Sequence, residues 1–257
     1  MRIKLLAVAA TAALTTMATL LTGSPAQANH SWGGYHWART SNPFTIALGD
    51  NVTSAWDYYL SVASSDWSQS TVLDTTVTAG SVNPKTCKAT LGRVQVCNAA
   101  YGQRGWLGIA SINITGGSHI TQGTVKLNDS YFALAQYNTP AYRAFVTCQE
   151  VGHTLGLDHQ DENFTNPNLG TCMDYTNAPS TNQHPNKHDY DQLVAIYSHL
   201  DSTSTVGSSA ATTGKGQVGN DESSWGRQVE GSRAWGHSTF VRDFGGGNKV
   251  ITFVTWA

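Results

Sequence analysis

Charge is scarce in this chain. Only 12% of its 257 residues are Asp, Glu, Lys or Arg, and the formal net charge is -2. No basic run or stripe stands anywhere in the sequence. The electrostatic footprint of a nucleic-acid binder is therefore missing, and no nucleic-acid partner is expected. Past Leu21 no apolar run is long enough to span a bilayer, so no membrane span is expected. Cysteine is limited to Cys87, Cys97, Cys148 and Cys172, with no C-x-x-C pair to suggest a thiolate metal site. A D-x-D-x-D-G loop of the EF-hand kind is also absent.

Residues 1–28 carry the marks of a secretory signal peptide. Arg2 and Lys4 form a positive start, Leu5–Leu21 is apolar, and Ala26-Gln27-Ala28 is a small-x-small cleavage site. Threonines at 11, 15, 16 and 19 and Pro25 weaken the case for a retained membrane helix. A secreted, extracellular chain is expected. Loss of Arg2 and Lys4 would take the net charge from -2 to -4. In an oxidising compartment four cysteines suggest two disulfides, with three possible pairings. Cys87 and Cys97 bracket a short loop between strand-like segments, which favours that pair. The remaining length suits one domain plus a tail, and a monomer is expected.

Asn29–Ser41 reads as an aromatic loop. Strands are expected at 44–48, 71–77, 93–97, 107–114 and 120–127, the last as an edge strand. Val52, Trp56, Tyr59, Leu60 and Ala63 recur at helical spacing, which predicts a helix within 51–67. Pro140 opens a longer helix over about 141–153. A last domain helix covers about 187–199, with Asn186 as N-cap and Leu193, Ile196, Tyr197 and Leu200 on one face. Residues 202–224 are rich in Ser, Thr and Gly and read as a linker. Residues 225–257 form a Trp-rich tail, in which Gly245-Gly246-Gly247-Asn248 between apolar runs suggests a β-hairpin.

The segment with chemistry is Cys148–Asp161, C-Q-E-V-G-H-T-L-G-L-D-H-Q-D. Gln149 and His153 are four apart, on one face of a helix and one turn from each other. Glu150, beside the first of them, is placed to act as general base toward a water on a helical zinc site. Gly156 tolerates a left-handed backbone and can turn the chain so that His159 returns to the same point. Three protein donors with an open position are what a hydrolytic zinc site requires.

This pattern resembles the metzincin clan of zinc metalloendopeptidases, the matrixin-like branch most closely. Thr171-Cys172-Met173-Asp174-Tyr175 is similar to the clan's Met-turn, with Met173 as the floor beneath the ligands. Met-x-Tyr also resembles the astacin and serralysin branches, which makes Tyr175 the candidate to approach the metal or a developing oxyanion. The resemblance is sharp over about 145–175 and loose elsewhere. It implies a catalytic domain over 29–201 with an α/β fold: a twisted, mostly parallel five-stranded sheet with an antiparallel edge strand, an active-site helix, and a Met-turn subdomain. It also implies one catalytic Zn2+ held by positions 149, 153 and 159, and a protein or peptide substrate added to the edge at Ile120–Leu127 or the strand beside it. A Cys148–Cys172 disulfide would tie the active-site helix to the Met-turn. The pro-segment cysteine that animal matrixins use for latency has no counterpart, since none precedes Cys87.

The first ligand position departs from the pattern, with Gln149 where histidine is expected. An amide oxygen is neutral and a weaker zinc ligand than imidazole. Three readings follow. Gln149 ligates through its oxygen; or it stands behind a ligand set completed by Tyr175; or the protein is a secreted pseudoprotease that binds peptides or surfaces without cutting. The other histidines (His30, His36, His119, His184, His188, His199 and His237) read as loop, helix-start or core residues rather than ligands. Oxygens in Gln160–Asn166 would suit Ca2+, but a solvated loop is the plainer reading.

Overall fold

A computed structural model describes residues 30–209 and 216–257. The expected signal peptide and part of the expected linker lie outside these residues. The strands, in chain order, are β1 (His36–Trp37), β2 (Phe44–Asn51), β3 (Leu73–Ala79), β4 (Val94–Ala99), β5 (Trp106–Thr115), β6 (His119–Asn128), β7 (Arg227–Ser232), β8 (His237–Gly245) and β9 (Asn248–Trp256). The helices are α1 (Ser54–Trp67), α2 (Asp129–Phe132), α3 (Pro140–Thr154), α4 (Lys187–Ile196) and α5 (Glu222–Trp225).

The sheet runs β3-β2-β4-β6-β5-β9-β8-β7, with β1 paired to β6. β2, β3, β4, β6 and β1 pair in parallel. β5 runs antiparallel to β6. The mostly parallel five-stranded part is thus as expected. Two expectations about its rim are corrected. β6 is interior, lying between β4 and β5, and β5 is the outer strand of the five. That outer strand is not free: β9 pairs with it antiparallel, from Trp106↔Trp256 to Ile114↔Lys249.

The reason lies in the two-faced pattern of β9. Val250, Val254 and Trp256 join Trp106, Trp225 and Phe240 in one apolar cluster. Ile251 and Phe253 enter the main core. A strand apolar on both faces needs cover on both, and continuing the sheet from β5 supplies it. The tail is therefore three strands of the same sheet. The preceding segment is also held: Thr205 N–H donates to Ala38 O and Gly207 N–H to Gly92 O. β1 falls inside the segment expected to be a loop.

α1 buries Trp56, Leu60, Ala63 and Trp67, one stripe of its surface. α3 starts at Pro140 with the Thr139 side chain accepting from Tyr142 N–H. Buried aromatic side chains bond its later carbonyl groups, two of them at the end, where a helix leaves carbonyls without intrahelical donors. Trp67 Nε1 donates to Cys148 O at 3.1 Å, Trp37 Nε1 to Thr154 O at 2.9 Å, and Tyr197 Oη to Leu155 O at 2.8 Å. α4 begins with a full capping box between Asn186 and Asp189. It ends at Ile196, earlier than expected, so Leu200 falls outside it and is exposed. Among the described residues no helix is long and apolar enough to cross a membrane.

Candidate metal centre

Gly156 has φ +99°, and an added Cβ there would collide with the carbonyl oxygen of Tyr35. Glycine alone fits, and the turn it makes brings His159 back against His153. Their Nε2 atoms lie 2.9 Å apart. His153 Nδ1 is 2.9 Å from Leu157 O, so its proton sits there and Nε2 keeps a lone pair. Burial pushes both imidazoles well below their ordinary pKa, with the neighbouring histidines adding to the effect. Both are neutral donors, the form a metal requires. The hydroxyl of Tyr175 lies 2.6 Å from His159 Nε2. Burial raises its pKa well above 10, so it is a neutral phenol.

Met173 packs under α3, where a Cβ on Gly152 would lie 2.7 Å from its Sδ. The Cys148–Cys172 and Cys87–Cys97 disulfides are both formed. The first brings Met173 under the helix, and Gln149 Nε2 donates to Cys172 O at 3.0 Å. The side-chain oxygen of Gln149 faces the tail: Thr255 Oγ1 lies 2.8 Å from it and 2.6 Å from Glu150 Oε1. One hydroxyl proton serves both. Glu150 is fully buried, its Oε2 has no hydrogen-bond partner, and burial pushes its carboxyl up to about 8.

The tail supplies three residues that the sequence reading did not place here. Thr255 touches Gln149 and Glu150. Phe253 stacks on His153, with centroids 4.2 Å apart and planes 2° from parallel. His237 stacks on Tyr175 at 3.8 Å, with its ring 5.4 Å from that of His159. Its Nδ1 faces Trp235 O at 3.0 Å, while its buried Nε2 has no hydrogen-bond partner. The void left among Leu107, Tyr142, Phe145, Tyr175 and Thr255 is about 30 Å³, room for roughly one water.

Two convergent neutral imidazoles, those of His153 and His159, are donors of the kind a zinc-class ion takes. Of the expected ligands, His153 and His159 meet. Gln149 lies beside them but is held by Thr255 and Cys172. In the loop Gln160–Asn166 the oxygens turn their own chain: Asn163 N–H donates to Asp161 Oδ1 and Thr165 N–H to Asn163 Oδ1. This supports the solvated loop. His184 pairs with Asp66 at 2.7 Å, away from the centre.

No protein-family model matches the chain. No curated protein is similar to it in sequence. Among solved structures, it is similar to high choriolytic enzyme 1, a hatching-enzyme zinc-protease from Oryzias latipes (medaka fish). The identity is 12%, 63% of this chain and 94% of that chain are covered, and the TM-score is 0.34. A likeness of that degree carries no weight for fold or function.

Proposed function

We propose that the chain is a secreted, metzincin-like zinc metalloendopeptidase, held here in a closed form by its own C-terminal strand. The observation that carries this reading is the position of β9. It lies antiparallel on β5, where an extended peptide would add to the sheet, and it sets Thr255 on Glu150. The residues that fit a metal stand directly under that strand.

His153 and His159 would hold the zinc, with the third donor from Gln149 or Tyr175. When bound, the ion supplies an acidified water and polarises a carbonyl. Glu150 acts as base, taking a proton from the attacking water and passing it to the leaving amine. In the closed form its Oε1 is taken up by the Thr255 hydroxyl under β9, which keeps it from that role until the strand leaves. Tyr175 would donate to an oxyanion. The β5 edge binds substrate backbone through its ladder groups. The two disulfides suit an oxidising, extracellular setting.

Zinc content and casein cleavage test this reading on the full chain, its Glu150→Ala variant and a chain ending at residue 209. Zinc bound, low cleavage in the full chain, higher cleavage after truncation and none with Glu150→Ala are expected. Zinc bound with no cleavage by a folded truncated chain would leave the pseudoprotease reading instead.

A further inference from the structure

Away from the His153–His159 pair, the side chains of His36, His119 and Asp201 meet at one point, with His199 at its rim. β1 pairs with β6 so that His36 and His119 are register partners. The chain leaving α4 brings His199 and Asp201 to the same place. His36 Nε2 lies 3.1 Å from His199 Nε2 and 3.4 Å from Asp201 Oδ1. His119 Nε2 is 3.2 Å and His199 Nε2 3.8 Å from the same oxygen. Four ligands arranged tetrahedrally around a zinc at ~2.05 Å stand about 3.3 Å from one another. The separations of Asp201 Oδ1 from His36 and His119, 3.4 and 3.2 Å, match that value, and His199 stands beside His36 at 3.1 Å.

The outer partners are those of a ligand set. His36 Nδ1 is 2.7 Å from Gly34 O, which places its proton there and leaves Nε2 a lone pair. Oδ2 of Asp201 accepts from the Arg39 guanidinium at 2.8 Å and from Arg39 N–H at 3.1 Å, which leaves Oδ1 to the cluster. His36 Nε2 and Asp201 Oδ1 are then two acceptors facing each other. An N–H of His199 can reach the first and an N–H of His119 the second, or a cation between them can take the place of both protons. A cation would satisfy all four donors at once.

We propose that His36, His119, His199 and Asp201 form a second metal site, taking zinc or a similar divalent ion that favours nitrogen and oxygen ligands. His36, His119 and Asp201 stand together, and with the half-exposed His199 as fourth ligand no position is left open, so the site is structural. It fastens β1, the β5–β6 turn and the chain beyond α4 to one another. His119 and His199 are 32% and 49% exposed at the side chain, so the ion enters from solvent. The site shares no residue with the proposed catalytic centre and does not depend on it.

The test is zinc stoichiometry by equilibrium dialysis of the full-length chain, with thermal melting beside it. His119→Ala and His199→Ala should each bind one equivalent fewer than the unmodified chain and lose part of the zinc-induced rise in Tm. His199 is half-exposed, so its replacement leaves the fold intact. The His153→Ala variant should keep the ion at this site. Equal stoichiometry and equal melting shifts in the unmodified, His119→Ala and His199→Ala chains would overturn the proposal. Loss of zinc with His153→Ala alone would do so too, while leaving the peptidase reading untouched.

Discussion

The hydroxyl of Thr255 lies 2.6 Å from Oε1 of Glu150 and so joins the last strand of the chain to the proposed general base. Thr255→Val keeps the shape and removes the donor. Oε1 of Glu150 and of Gln149 then face an apolar methyl in a buried place, at a cost of about 1–3 kcal/mol. The expected result is a lower urea midpoint and faster hydrogen exchange in β9. Unchanged exchange there would show that the hydroxyl does not hold the strand.

Lys126 gives a pH signature of tail docking. It is buried and donates to Asn220 Oδ1 at 2.7 Å, and burial lowers its pKa to about 8. Its folded pKa lies below the unfolded value of about 10.4, so between these values the unfolded chain binds more protons. Stability therefore rises with pH across that window, and the penalty is complete below about pH 8. Lys126→Met should raise stability at pH 7 by about 2–3 kcal/mol, less whatever the loss of the Asn220 bond costs. The gain should shrink toward pH 10. Denaturation midpoints at the two pH values measure it, and a pH-independent change would contradict the cause given.

Cys148 and Cys172 are 24 residues apart in sequence. Closing a loop of that size stabilises by about 3 kcal/mol in the chain-entropy view. A non-reduced peptide map should join these two cysteines, and the double Ser variant should melt lower and bind zinc more weakly. Any other pairing in the map disproves the brace beneath Met173.

Gln149→His places imidazole at the first position of the motif. Imidazole is the better zinc ligand, so affinity measured by chelator competition should rise by on the order of tenfold or more. Equal affinity would mean that position 149 stays outside the ligand set, as its bonds to Thr255 and Cys172 suggest for the closed form.

Much of this was legible in the sequence because it is local. Helical spacing in 51–67, Pro140 as a helix start, Asn186 as a cap and Gly156 as a turn each rest on a few neighbouring residues. The convergence of His153 and His159 follows from the same short range. What was not legible depends on distant partners. Alternation in Ile251–Trp256 shows a strand needing cover on both faces, but nothing in it names β5 as the neighbour, so Thr255, Phe253 and His237 could not be placed. β1 is two residues long and exists only through pairing with β6. For that reason His36 and His119, far apart in sequence, read as unrelated loop residues.

The seat of β9 on β5 has one further consequence. β5 is ten residues long and almost wholly buried. Stripped of its neighbour, it would present an unpaired row of N–H and C=O groups, the template on which identical chains add to one another. Tail loss would therefore open two routes at once, capture of a foreign peptide or of a twin molecule, and protein concentration would decide between them.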